Sequence, residues 1–66
     1  MRVHINGEEK TIEEGTSVAD LVAGLGLAGR RVAVEYNRQI LRASDWAATL
    51  LREDDALEIV HFVGGG

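Results

Sequence analysis

Hydrophobic and polar positions alternate from the first residue: Met1, Val3 and Ile5 are separated by Arg2 and His4. A period of two predicts a strand with one buried face. Asn6-Gly7 follows, a pair that favours a type I′ hairpin turn because both central positions need positive φ. The chain should then return over about Glu8 to Ile12, with Ile12 inward. Glu13-Glu14-Gly15-Thr16 is a polar loop, and behind it the period changes. Val18, Leu21, Val22 and Leu25 stand at i, i+3, i+4 and i+7, one stripe of a helix. Ser17 and Asp20 have capping-box spacing at its start, while Gly24 and Gly26 weaken and end it.

Gly29-Arg30-Arg31 reads as a loop, and Val32, Val34 and Tyr36 alternate with Ala33 and Glu35 as a third strand. Ile40-Leu41 is a minor strand. Ser44-Asp45-Trp46 opens a short helical turn, with Asp45 as a cap and Trp46 and Leu50 on one side. Arg52-Glu53-Asp54-Asp55 is a charged turn, and Leu57 to Val63 is the last and longest strand. The order predicts an α+β fold in which a mixed sheet of four to five strands packs on one main helix, with a short second helix. Residues 1–63 form the domain and residues 64–66 a flexible glycine tail.

Composition narrows what such a domain can do. With 66 residues there is room for one small core and none for a deep pocket, so function should sit on a surface or a terminus. There are no cysteines, so no side chain can serve as a sulfur nucleophile or thiolate ligand. The net charge of −4 disfavours nucleic acid as a partner. No apolar run approaches a membrane span and no leader pattern precedes the first strand, which predicts a cytoplasmic protein.

The candidate chemistry is at the end. Gly64-Gly65-Gly66 follows the apolar run and carries the α-carboxylate of Gly66. Three extended residues reach roughly 10 Å, and glycine passes through a channel too narrow for a Cβ. In the strand before it, alternation should turn Leu57 and Ile59 toward the helix and Glu58, Val60 and Phe62 away from it. Val60 and Phe62 would then be exposed apolar contacts for a partner.

Other patterns carry less. Gly24-Leu25-Gly26-Leu27-Ala28-Gly29 spells GxGxxG, but it closes a helix instead of joining a strand to a helix start. His4 and His61 belong to strands that could be neighbours, yet no third ligand accompanies them, so both read as solvated or rim residues. Glu13-Glu14 and Asp54-Asp55 read as solvated turn acids, Arg30-Arg31 as an ordinary loop pair, and Trp46 and Tyr36 as core packing.

The whole chain resembles the β-grasp, ubiquitin-like superfamily, and within it the thiamine-pathway sulfur carriers. The resemblance is carried by Val3-His4-Ile5-Asn6-Gly7, by Gly15-Thr16-Ser17-Val18-Ala19-Asp20-Leu21-Val22, by Val34-Glu35-Tyr36-Asn37 with Ile40-Leu41 and Trp46, and by Ile59-Val60-His61-Phe62-Val63 before the glycines. Gly64 is a glycine beyond the usual pair, and Arg42 stands where a proline is common.

The resemblance implies a carrier that is not itself an enzyme and binds no cofactor. Its Gly66 carboxylate would be adenylated by a ThiF/MoeB-type partner using ATP and Mg²⁺. Sulfur from a cysteine desulfurase-type donor would convert it to a thiocarboxylate, which would serve thiazole synthase (ThiG). Gly65 and Gly64 would supply reach; Phe62, Val60 and Glu58 would contact partners. The chain alone should be a monomer. The molybdopterin synthase small subunit (MoaD-like), in which chains run longer, a ubiquitin-like modifier and a β-grasp binding module are the alternatives.

Overall fold

The computed structural model describes residues 1–62. Its elements run β1 (Arg2–Ile5), β2 (Glu8–Thr11), α1 (Val18–Gly24), β3 (Val32–Tyr36), β4 (Gln39–Leu41), α2 (Ala43–Trp46) and β5 (Ala56–His61). The sheet has five strands in the order β2-β1-β5-β3-β4. β1 and β5 are parallel, and the other pairs are antiparallel. The last strand of the chain is therefore the central one, flanked by the first and third.

Local chemistry explains the start. Asn6 and Gly7 have φ of 51° and 82°, the left-handed pair a type I′ turn requires, and β2 pairs back on β1 from Ile5↔Glu8 to Arg2↔Thr11. Asn37 and Arg38, with φ of 48° and 72°, turn β3 into β4 in the same way. Ser17 caps α1: its hydroxyl accepts the Asp20 N–H at 3.0 Å, and the Asp20 carboxylate accepts the Ser17 N–H at 3.2 Å. This is the reciprocal capping box the spacing predicts.

One face of the sheet packs on α1. The core is Val3 and Ile5 of β1, Val18, Leu21 and Val22 of α1, Val34 of β3, Leu51, and Leu57 and Ile59 of β5. Met1, Ile12, Leu27, Tyr36, Leu41 and Trp46 pack around it half-buried. Among the described residues no helix is long and apolar enough to cross a membrane.

Four local expectations change. Leu25 is exposed and does not complete the α1 stripe. Gly26, at φ 77°, turns the chain; its N–H bonds Ala23 O and that of Leu27 bonds Val22 O at 3.1 Å. This Schellman exit swings Leu27, not Leu25, onto the core. Leu50 is likewise exposed while Leu51 is buried. Helical spacing from Trp46 fails because α2 ends there; Leu50 is bridged to Ser17 in extended backbone, where neighbours point to opposite sides. Asp45 is not a cap: Arg42 holds that position, with no side-chain cap bond. Finally, β5 starts at Ala56, earlier than expected, and its last strand residue is His61; Val63 lies outside the described residues.

Candidate functional site

The site is built on β5 because this strand leads to the C-terminal glycines. Alternation places its side chains as the sequence predicts: Leu57 and Ile59 are buried against the helix side, and Glu58 and Val60 point to the other face. Val60 is 51% exposed and Phe62 57%. Phe62 lies just past the strand, but its N–H donates to Arg31 O at 3.0 Å, which continues the β3–β5 ladder by one step. Arg31, Val32 and Phe62 line a shallow hollow there. Gly64, Gly65 and Gly66 lie outside the described residues.

Two asparagines fasten β5, one from each side, and sequence reading misses both roles. The Asn6 amide mimics a strand residue: its Oδ1 accepts the Ile59 N–H at 2.7 Å and its Nδ2 donates to Ile59 O at 3.1 Å. The parallel β1–β5 ladder is thereby extended beyond the point where β1 turns away. On the other side Asn37 Oδ1 accepts the Ala56 N–H at 2.9 Å, and the Asn37 N–H donates to Ala56 O at 2.8 Å. Each asparagine occupies the first positive-φ position of a hairpin, where its side chain is free to reach sideways. The Asn-Gly signal marks the turn but not this reach.

Asp55 corrects the expectation of a solvated turn acid. It is 8% exposed, and its carboxylate accepts from Tyr36 Oη at 2.5 Å, from Asn37 Nδ2 at 3.2 Å and from the Arg52 N–H at 2.8 Å. A buried carboxylate needs such donors, and three are aimed at it. The Tyr36 hydroxyl pays part of the cost: burial, then the hydrogen bond to Asp55 and its negative charge, push its pKa up to about 12. The cluster fixes the start of β5 against the β3–β4 hairpin. Tyr36 is thus a polar anchor as well as packing mass.

The remaining candidates fall apart spatially. β1 and β5 are neighbours, but His4 pairs with Ala56, and His61 sits five positions further along, roughly 16 Å away at strand rise. His4 instead lies 3.7 Å from the exposed Asp54. Among the described residues no group of three His, Cys, Asp or Glu is arranged to hold a metal ion. Glu13 and Glu14 are exposed in a loop, as expected of turn acids. Trp46 packs against the core and donates Nε1–H to Leu41 O at 3.0 Å, as packing mass should. Glu53 is held below the usual carboxylate range chiefly by the hydrogen bond from the Arg2 backbone N–H, at 2.7 Å, with help from the Arg2 guanidinium.

A sheet with parallel first and last strands, one covering helix and a central strand leading to glycines invites comparison with known proteins. The ThiS family model matches residues 3–66. The chain belongs to the ThiS family. A sulfur carrier protein ThiS from Bacillus subtilis is 35% identical over 65 residues, covering 97% of this chain and 98% of that protein. The crystal structure of a thiamine biosynthesis protein (ThiS) from Geobacter metallireducens covers the whole of both chains, with a TM-score of 0.79 and 32% identity. The β-grasp expectation therefore holds for the fold. A thiazole synthase from Magnetococcus marinus is 46% identical over all 66 residues, but this chain spans only 20% of its length. In this member of the ThiS family, the two asparagine clamps and the Asp55 cluster hold β5 in place.

Proposed function

We propose that this chain is a sulfur carrier for thiamine thiazole synthesis, with the Gly66 carboxylate as its working group. The observation that supports the reading most is that the ThiS family match runs through the glycines to residue 66. The sulfur carrier from Bacillus subtilis aligns over nearly the full length of both proteins. The chain is then a co-substrate, and partner enzymes supply the chemistry.

Three steps follow. On an adenylating partner of the ThiF/MoeB type, a Gly66 carboxylate oxygen attacks the α-phosphorus of ATP. The α–β phosphoanhydride bond breaks, pyrophosphate leaves and an acyl-adenylate forms. The terminal sulfur of a persulfide, charged by a cysteine desulfurase-type donor, then attacks the acyl carbon and expels AMP. The product is an acyl disulfide. A second thiol attacks the sulfur that came from the persulfide cysteine; a disulfide forms and Gly66 leaves as the thiocarboxylate. A thiol reductant later returns the disulfide. All these thiols belong to partners, since this chain has no cysteine.

The third step is delivery to thiazole synthase: the thiocarboxylate sulfur adds to a C=O or C=N carbon of the acceptor substrate, the π electrons pass to the heteroatom, and water then cleaves the Gly66 acyl–sulfur bond, which leaves the sulfur on the substrate and restores the Gly66 carboxylate. The body of the protein contributes position. β5 is held on both sides, and Val60 and Phe62 offer an apolar grip at its end; three glycines, if extended, can reach roughly 10 Å into a partner's site.

Intact mass spectrometry tests the proposal. With ATP, an adenylating enzyme and a sulfur donor, one oxygen should be exchanged for sulfur at the C-terminus. Removing Gly66 should abolish the exchange and leave the circular dichroism spectrum unchanged. Sulfur transfer that survives the deletion refutes the mechanism.

A further inference from the structure

Both asparagines of the chain are strand clamps, but different residues follow them: Gly7 after Asn6, Arg38 after Asn37. The difference is chemical as well as conformational. A backbone nitrogen can attack the side-chain carbonyl carbon of an asparagine just before it. The five-membered ring closes most readily when the attacking residue has no Cβ to crowd it. Asn6-Gly7 is the only asparagine–glycine or aspartate–glycine pair in the chain. Asn6 is exposed, and among the described residues nothing lies within 4 Å of where a Gly7 Cβ would stand, so water and base have access.

The fold opposes this reaction in two ways. A type I′ turn sets ψ at about +30° at its first central residue. In an L-residue this places the next nitrogen roughly trans to Cβ about the Cα–C bond, whereas ring closure needs the two nearly eclipsed. The side chain is fixed as well. Its oxygen and nitrogen both face Ile59, at 2.7 and 3.1 Å, so Cγ turns toward the Gly7 nitrogen only when both bonds break. The Asn6 N–H is tied too, to Leu57 O at 2.9 Å. A reactive pair is therefore held in an unreactive geometry by the same contacts that fasten β5.

We propose that Asn6 is a latent deamidation site, guarded by its clamp on β5, and that its conversion releases the strand permanently. The inference goes beyond the sulfur-carrier reading and does not depend on it. When the turn opens, the Gly7 nitrogen gives its proton to a base and bonds to Asn6 Cγ. The Cγ–Nδ2 bond breaks, and the side-chain nitrogen takes up a proton and leaves as ammonia. Water then opens the succinimide at either carbonyl, which gives an aspartate or an isoaspartate at position 6. Neither remakes the clamp: the donor that met Ile59 O is gone, and a carboxylate oxygen only accepts. Isoaspartate also adds a carbon to the backbone of a two-residue turn. Asn37 sits in a similar clamp, to the Ala56 N–H and to Asp55, with Arg38 behind it, and is the internal control.

The test incubates the full chain in mildly alkaline buffer, folded and in urea. Peptide mapping follows the mass gain of NH2 replaced by OH at each asparagine, and isoaspartyl methyltransferase labelling counts the isoaspartate. In urea, Asn6 should convert at least about tenfold faster than Asn37. In the folded chain Asn6 should slow by at least about thirtyfold, the bias that two hydrogen bonds of ordinary net strength give to the closed clamp. The converted chain, separated by ion exchange, should lose exchange protection at the Ile59 N–H by a similar factor, while the Ala56 N–H, held by Asn37, changes less. Equal rates in the folded and unfolded chain remove the guard. An unfolded chain in which Asn6 converts no faster than Asn37 removes the site. A converted chain that keeps its Ile59 protection removes the release. Any of the three overturns the proposal.

Discussion

The Asn6 clamp lends itself to a quantitative test, because its backbone and side-chain roles separate cleanly. Glycine at this position keeps the turn, since φ of 51° suits it at least as well, and deletes only the amide. Two hydrogen bonds to Ile59, at 2.7 and 3.1 Å, disappear. Ile59 is 7% exposed, so its N–H and carbonyl are poorly placed to recruit water instead. At about 1 kcal/mol net per bond, Asn6→Gly should cost about 2 kcal/mol. For a domain of this size that corresponds to a fall of about 10 °C in Tm.

Urea denaturation and thermal melting measure the cost. Amide hydrogen exchange adds a local readout, because the Ile59 N–H should lose protection more than the Val34 N–H. Asn6→Asp adds a further check: one oxygen can still accept the Ile59 N–H, but the other now faces the Ile59 carbonyl. That variant should be less stable at neutral pH and recover partly on acidification through the carboxylate range, as protonation restores a donor. An Asn6→Gly protein within about 0.5 kcal/mol of wild type would refute the clamp as a source of stability.

Two further outcomes follow from the polar cluster and the core. Tyr36 is the only tyrosine, so an absorbance titration of the folded protein should show a midpoint near 12. Its folded pKa lies above the unfolded value of 10.0, so its contribution to stability is complete below pH 10 and is lost as pH rises toward 12. Asp55→Asn should move the midpoint part of the way back, because burial remains; a wild-type midpoint near 10 would contradict the cluster. Leu51→Ala should destabilise by about 2–5 kcal/mol, whereas Leu50→Ala should stay within about 0.5 kcal/mol. Denaturation that ranks the two the other way would contradict the assignment of Leu51 to the core.

Asn6 and Asp55 show why the anchoring of β5 is only partly visible from residues alone. Each lies in a local pattern that is easily recognised, and each acts on a partner whose identity depends on strand order. The bond from Asn6 crosses 53 positions of sequence, and that from Tyr36 to Asp55 crosses 19. Asp54 and Asp55 are adjacent and chemically identical, yet one is exposed near His4 and the other is buried under three donors.

The sequence by itself determined the features that need only local backbone geometry. The Asn6-Gly7 turn follows from the steric demand for positive φ, the α1 start from Ser17 and Asp20, and the outward aim of Val60 and Phe62 from the two-residue period of a strand. Tertiary structure alone decided what those elements meet. Placing β5 between β1 and β3 joined the two ends of the chain, set Glu58 against Glu35, and buried Asp55 beside Tyr36. It also let Leu51 and Leu27 take the core positions that periodicity offered to Leu50 and Leu25. A side chain's direction is fixed by its own φ and ψ, but its neighbour across the sheet is chosen by long-range register, which no short stretch of residues encodes.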